Sequence, residues 1–209
     1  MAVTDKDSRK PVIVLIGGIP GVGKSSISGY LARNLGVDIV LSGDYLREFL
    51  RPLTSGENSE ILGVSVYEAW RIFGNENEET ITQGFISQGK VLNKGLNAVF
   101  SRALKNGESL IVETLHFIPS QLDRKVLDRI IPMYIYISDR KVNSQRLLER
   151  EQYTHFNSPG QRLSDQLDRY RVMMKYSMQE CEKFGIRSFD NLLYGDTREQ
   201  ILQYVKSSI

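Results

Sequence analysis

The sequence predicts an α/β fold: a five-stranded parallel sheet flanked by helices. Three observations predict it. Short apolar runs alternate with stretches of helical period along the 209-residue chain, the order expected of a parallel sheet with crossover helices. The first apolar run, PVIVLI at 11–16, shows no polar alternation, so it reads as a strand buried on both faces. That run leads directly into GGIPGVGKSSIS at 17–28, where a glycine-rich loop separates strand from helix.

The elements follow in order. From Lys24 onward Ile27, Leu31 and Leu35 share one helical stripe, and Gly36 suits the C-terminal cap. VDIVLS (37–42) reads as the second strand, DYLREFL (44–50) as one or two helical turns ended near Pro52, and TSGENSE (54–60) as a polar loop. SVYEAWRIFG (65–74) spaces Val66, Ala69, Trp70 and Phe73 helically. Residues 76–106 read as one long helix or two stacked ones. Gly84, Gly89 and Gly95 weaken it, each by about 1 kcal/mol relative to Ala. SLIVET (109–114) and IPMYIYIS (131–138) are two further buried strands. Residues 140–151 are helical and arginine-rich, and HFNSPGQ (155–161) is a loop. The stretch 164–185 is a helix turning Leu167, Tyr170, Met174, Met178 and Cys181 inward, IRSF (186–189) is the fifth strand, and TREQILQYVKSS is a last helix.

Composition narrows the classes. With 27 basic and 25 acidic residues the net charge is +2, so no broad basic surface for nucleic acid is expected. The single cysteine, Cys181, allows no intramolecular disulfide and fits a reducing compartment; a cytoplasmic location is expected. The opening MAVTDKDSRK is polar, which argues against a leader, and no run of about 18 apolar residues suggests a membrane span.

Gly18, Gly23, Lys24 and Ser25 fit G-x-x-x-x-G-K-[ST], the phosphate-cradling P-loop. Such a loop turns backbone N–H groups, here of Gly21, Val22, Gly23, Lys24, Ser25 and Ser26, toward a nucleotide's phosphates at a helix N-terminus. Its lysine reaches the β- and γ-phosphates and its serine ligates Mg²⁺. The guanine motif N-K-x-D of GTPase switches is absent, since Asn93-Lys94-Gly95-Leu96 lacks the aspartate. The transporter motif L-S-G-G-Q fails after Leu41-Ser42-Gly43.

The P-loop with SGDYLREFLRP, SVYEAW, GFISQGKVL, IVETLHFIP and the late Arg146, Arg150 and Asn191 resembles the 2-phosphoglycerate kinase family of P-loop kinases, in order from about residue 11 to 192. The resemblance includes that family's shorter relatives, the mevalonate 3-phosphate 5-kinases. It implies a P-loop NTPase fold of the nucleoside-monophosphate-kinase-like type, as one domain over 1–209. The core would be 10–51 and 107–209, a helical acceptor-binding insertion would span about 52–106, and an arginine-bearing lid about 140–165. It implies ATP and Mg²⁺ as cofactors and a small phosphorylated hydroxy acid as acceptor, giving a bisphosphate, with no nucleic acid or membrane partner. Typical 2-phosphoglycerate kinases carry an N-terminal regulatory module, whereas about ten residues precede the first strand here. On that ground mevalonate 3-phosphate is the expected acceptor and 2-phosphoglycerate the alternative. A polynucleotide or tRNA kinase, or a non-catalytic nucleotide-binding module, are rivals from other classes.

Within such a kinase Lys24, Asp44 and Arg150 are the expected catalytic residues. Asp44, just after the second strand, would accept the acceptor's hydroxyl proton or hold a metal-bound water; the same position suits a helix N-cap. Arg47, one turn on, would clamp a substrate anion bidentately, with Arg51 as a second candidate. Glu113, ending LIVE, would hold Mg²⁺ with Ser25 or bind substrate. His116 would bind substrate phosphate or serve the core, and His155 has no motif around it. Arg146 and Arg150, four apart on one helix face, would bind nucleotide and stabilise the charge on the transferring phosphoryl group, with Arg162 and Arg169 as lesser candidates. Tyr67 and Trp70 would line the acceptor pocket or pack the insertion helices, packing being the expectation for Trp70.

Overall fold

The computed structural model describes residues 10–153 and 160–209. In chain order, β1 (Ile13–Gly17) leads into α1 (Lys24–Leu35), and β2 (Val40–Ser42) into α2 (Gly43–Leu50). Then come α3 (Glu57–Gly63), a 3-10 helix at Val66–Ile72, and the long α4 (Glu78–Asn106). β3 (Leu110–Thr114), the short α5 (Arg124–Leu127) and β4 (Ile131–Tyr136) follow. The chain finishes with α6 (Arg140–Tyr153), α7 (Gly160–Ser164), α8 (Leu167–Phe184), β5 (Ser188–Asp190) and α9 (Tyr194–Ser208).

The five strands form one parallel sheet in the order β2-β3-β1-β4-β5. Every residue of β1 and of β3 is buried, as their continuous apolar runs require. The register places Gly17 opposite Thr114, Ile16 opposite Glu113, and Ser42 opposite Glu113. The loops leaving β1, β2 and β3 therefore emerge at one level along the sheet's carboxyl edge, where ligands of open α/β sheets bind.

The structure differs from the sequence reading at several elements. The second strand is three residues, not six: Ile39 and Val40 sit exposed at the sheet edge, where a long strand would leave more unpaired backbone. The polar stretch 54–60 is only partly a loop. α3 starts at Glu57, its first turn carries Glu57 and Glu60, whose charges complement the helix dipole, and Ile61 and Leu62 bury at its end. Residues 65–74 hold a 3-10 rather than an α-helix, with Val66 and Ala69 buried and Phe73 turned outward. The fifth strand begins at Ser188 rather than 186. Most of the stretch 155–161 lies outside the described residues, and Gly160 already opens α7.

Residues 78–106 are one helix of 29 residues, opened by a capping box between Asn77 and Thr80. Two of its three glycines are close-approach points. A Cβ at Gly84 would lie 2.8 Å from the Ala69 carbonyl carbon and 2.9 Å from the Trp70 nitrogen, so the 3-10 helix rests on bare backbone. A Cβ at Gly89 would meet Ile118 at 2.6 Å. At Gly95 the nearest atom is a Leu50 methyl at 3.4 Å.

Opposite signs are expected from two substitutions of identical helix propensity. Gly84→Ala forces two backbone segments apart and should destabilise by about 1–3 kcal/mol, less a helix-propensity gain of about 1 kcal/mol. Gly95→Ala meets ordinary contact and should stabilise by up to about 1 kcal/mol. Urea midpoints at constant m-value measure both.

Candidate active site

β1 ends at Gly17, and the loop turns with Gly21 at φ 79° and Gly23 at φ 92° before α1 starts at Lys24. Those left-handed conformations suit glycine, and space demands it too. A Cβ at Gly21 would lie 2.8 Å from Leu147, and one at Gly23 would lie 2.7 Å from Asn191 Nδ2. Two buried asparagines hold the loop from outside it. Asn191 Nδ2 donates to the Val22 carbonyl at 2.8 Å, and Asn143 Nδ2 to the Pro20 carbonyl at 3.3 Å. With those carbonyls clasped, Gly21, Gly23 and the N-terminus of α1 line a cleft of about 560 Å³.

The cleft brings together most of the residues singled out from sequence. Gly21, Gly23, Lys24, Ser25, Ser26, Asp44, Arg47, Glu113, His116, Arg146 and Arg150 all line it. Gly18 and Val22 lie behind the loop instead. A Cβ on Gly18 would meet the Ile135 carbonyl, and Val22 is fully buried. Lys24 Nζ donates to the Ile19 carbonyl at 3.1 Å. Burial lowers the Lys24 pKa, against the opposing pull of Glu113 and Asp44. The Ser25 hydroxyl donates to Glu113, 2.8 Å from Oε1 and 3.0 Å from Oε2.

Ser25 and Glu113 form a small set of hard oxygen donors that fits Mg²⁺, which takes one or two protein oxygens and otherwise phosphate and water. Among the described residues no group of three or more His, Cys, Asp or Glu is placed to hold a metal by itself.

Asp44 lies in the first turn of α2, and no side-chain cap is made there, so the N-cap alternative is not realised. It is exposed to the cleft, and Lys24, Arg47, His116 and Arg150 all feel its charge. Arg47 is more embedded than expected. Its Nη2 donates to the Leu62 and Val64 carbonyls, 2.6 Å each, and its Nη1 to Glu48 at 2.6 Å. The fork expected to clamp substrate is thus committed to protein, and the buried Nε is left without a partner. Arg51 is a surface residue paired with Glu48 at 3.0 Å and does not line the cleft.

His116 lines the cleft, and burial favours its neutral imidazole over the cation. It is buried, stacked on Phe85 with ring centroids 5.6 Å apart, and 3.1 Å from Gln88 Oε1 through Nε2. Burial depresses its pKa to about 3, with Arg47 and Lys24 adding to that effect and Asp44 opposing it. His155 lies outside the described residues.

Arg146 and Arg150 reach different parts of the cleft. Arg146 Nη2 donates to the Leu192 carbonyl at 2.9 Å, beyond β5. Arg150 feels Asp44, Tyr170 and Glu113, and burial works against the charge of both arginines. Arg162 lines the cleft from α7. Arg169 instead holds Glu76 through two bonds of 2.7 Å. Trp70 packs, as expected, with Arg71 and Arg169 each 5.5 Å from its ring, while Tyr67 lines the cleft beside Tyr170.

Sequence reasoning missed Gln88, Asn143 and the cleft position of Tyr170. Gln88 stands between Phe85 and Leu92 on an otherwise apolar helix stripe, a polar residue in a core position. Asn143 sits one turn before the arginine pair, on the side of α6 that faces the loop. Helical spacing marks Tyr170 as an inward residue and does not tell the cleft from the core.

The Zeta toxin family model matches residues 2–115. The mevalonate-3-phosphate 5-kinase of Thermoplasma acidophilum is 46% identical over 190 residues, covering 91% of this chain and 93% of that protein. The 2-phosphoglycerate kinase of Pyrococcus horikoshii is 31% identical over 197 residues, covering 93% of this chain and 64% of that one. Among solved structures, shikimate kinase from Acinetobacter baumannii in complex with shikimate superposes with a TM-score of 0.55 at 17% identity, over 95% of this chain and 96% of its own. At that identity the likeness concerns the fold, which is the P-loop kinase fold.

The His116 environment has a consequence for stability. Its ordinary pKa of 6.5 becomes about 3 in the folded chain, so between those values the unfolded chain binds the extra proton. The stabilisation from keeping it neutral is fully present above pH 6.5 and is lost as pH falls toward 3. Urea unfolding between pH 7 and 5 should show a stability loss with a slope approaching about 1.4 kcal/mol per pH unit. In His116→Phe that component should vanish; an unchanged slope would show that another group carries it.

Proposed function

The chain belongs to the Zeta toxin family, and to the family of the Thermoplasma acidophilum kinase, and from that membership we propose that it transfers the γ-phosphoryl group of ATP to the 5-hydroxyl of mevalonate 3-phosphate. That it is a kinase acting on a hydroxyl group of a small molecule follows from the family. The acceptor is the proposal. One observation carries it: 46% identity running through nearly the whole of both chains, against 31% for the 2-phosphoglycerate kinase.

In this reading the loop amides and Lys24 hold the β- and γ-phosphates at the N-terminus of α1. Ser25 and Glu113 are the residues that would hold Mg²⁺, which supplies charge neutralisation of the phosphates when bound. Arg146 binds the nucleotide and Arg150 faces the transferring group. Arg47, its Nη2 held by backbone carbonyls, brings fixed positive charge to the acceptor half, where Arg162, Tyr67 and Tyr170 also converge. The acceptor's hydroxyl oxygen bonds to the γ-phosphorus as the bond to the bridging oxygen breaks and ADP leaves. Asp44 takes the hydroxyl proton. Because such transition states are loose, fixed charge and position contribute more than base strength.

ADP release with ATP, Mg²⁺ and each acid in turn tests the acceptor. Turnover of mevalonate 3-phosphate is expected, with kcat/KM at least about 100-fold above that for 2-phosphoglycerate, as binding differences of about 3 kcal/mol allow. The reverse preference would transfer the proposal to the second acid. Lys24→Ala and Arg150→Ala should each reduce kcat on the order of 10²- to 10³-fold while the fold stays intact by circular dichroism. Near-normal turnover in either would remove that residue from the site.

A further inference from the structure

Gln88 lies in the middle of α4 and is fully buried. Its amide nitrogen donates to two backbone carbonyls, Ile61 at 2.6 Å and Val64 at 2.9 Å. A carbonyl accepts and cannot donate, so these two contacts determine which end of the amide is nitrogen. The amide oxygen then faces His116, 3.1 Å from Nε2. An amide oxygen also only accepts, so the nitrogen facing it carries the proton. In a neutral ring the second nitrogen is then a bare lone pair. Two carbonyls near the end of α3 thus set the tautomer of a histidine through the glutamine between them.

The Val64 carbonyl also accepts from Arg47 Nη2 at 2.6 Å, so the same segment that orients Gln88 holds Arg47. The His116 backbone is tied as well: its N–H donates to Thr114 Oγ1 at 3.0 Å and its carbonyl accepts from Asn93 at 3.2 Å. His116 lines the cleft, Nε2 faces Gln88, and Nδ1 has no hydrogen-bond partner among the described residues yet is not one of the buried partnerless atoms, so Nδ1 is the ring nitrogen open to the cleft. Asp44 is the carboxylate whose charge His116 feels.

We propose that Gln88 holds His116 as the Nε2–H tautomer, and that His116 Nδ1 accepts a hydrogen bond from the acceptor's reacting hydroxyl and holds it beside Asp44. This rests on the kinase reading above and adds to it a group that orients the nucleophile. A lone pair at Nδ1 repels phosphate and carboxylate oxygens, so it also turns the acceptor's anionic groups away from this wall, toward Arg47 and Arg162. When the hydroxyl oxygen bonds to the γ-phosphorus and the bridging bond to ADP breaks, its single proton, donated to Nδ1 until then, turns to the Asp44 carboxylate beside it. Burial opposes the imidazolium, so His116 orients the hydroxyl without keeping its proton. Gln88 acts through His116 and is a positioning residue.

Long-range ¹H–¹⁵N spectra of the full chain test the assignment, since the chain has two histidines and the signals absent from His116→Asn identify residue 116. The wild type at pH 7 should show a protonated Nε2 and a bare Nδ1, and mevalonate 3-phosphate should shift the Nδ1 signal. Gln88→Met, which keeps the volume and removes the oxygen, should yield a mixture of tautomers. His116→Phe should lower kcat for mevalonate 3-phosphate on the order of 10²-fold with ATP affinity unchanged, and His116→Asn should recover at least about tenfold of that loss. A wild-type spectrum with protonated Nδ1, an Nδ1 signal indifferent to the acceptor, or His116→Asn no better than His116→Phe would overturn the proposal. Should a variant fail to fold, the wild-type spectrum and its titration decide. If neither mevalonate 3-phosphate nor 2-phosphoglycerate is phosphorylated, the functional reading and the hydroxyl contact both fall, while the tautomer of the unliganded protein still decides the Gln88–His116 pairing.

Discussion

The pairing of β1 with β3 sets the position of everything that follows. Gly17 lies opposite Thr114, and one residue later the Gly18 N–H donates to the Thr114 carbonyl at 3.2 Å. Because these neighbours are parallel, the phosphate loop and the Glu113–His116 segment leave the sheet together, although almost a hundred residues of chain separate them. The approach is close enough that a Cβ on Gly17 would fall 2.3 Å from the Phe117 ring. A slip of one residue would carry Glu113 to the opposite face and remove it from Ser25. The Ser25–Glu113 hydrogen bond is therefore a product of strand register, and the metal-binding proposal inherits its geometry from the sheet.

Around that edge, charge is concentrated at a cost in solvation. Lys24, Arg47, Arg146 and Arg150 are all pulled out of water far enough that burial works against their charged forms. Asp44 is the counter-charge common to Lys24, Arg47 and Arg150. A site of this kind is poised for anions: phosphates and carboxylates restore the favourable interactions that folding removed. The same argument explains why Arg47 has its Nη2 fixed by carbonyls and why the P-loop carbonyls are clasped by Asn143 and Asn191. In the proposed transfer, groups that must not reorganise are held by partners that take no part in it.

The donor half was legible in the sequence and the acceptor half only in part. Strand, glycines, lysine and serine are contiguous in GGIPGVGKSSIS, so local order alone defines a phosphate cradle, and Asp44 and Glu113 follow from their positions at strand ends. What escaped depends on contacts between distant segments. The fork of Arg47 is spent on carbonyls fifteen and seventeen residues away, a commitment that helix periodicity does not encode. His116 is open between substrate and core in the sequence because its charge depends on burial and its tautomer on Gln88, 28 residues upstream. The glycines of α4 read as helix weakness, whereas at Gly84 and Gly89 the missing side chain is what lets neighbouring segments approach. Stretch 54–60 read as a loop because the apolar anchors of α3, Ile61 and Leu62, fall just past its polar end.

Trp70 sits where the 3-10 helix at Val66–Ile72 meets α8. The guanidinium groups of Arg71 and Arg169 both lie over its ring, Arg169 is tied to Glu76, and the indole N–H is buried without a hydrogen-bond partner. It is the chain's sole tryptophan. Intrinsic emission at the red edge of excitation therefore arises from one joint of the molecule, the seam that carries Tyr67 on one side and Tyr170 on the other. The protein has in effect been issued with a single-site optical reporter beside the cleft wall of Tyr67 and Tyr170, sensitive to whatever loosens or tightens that seam.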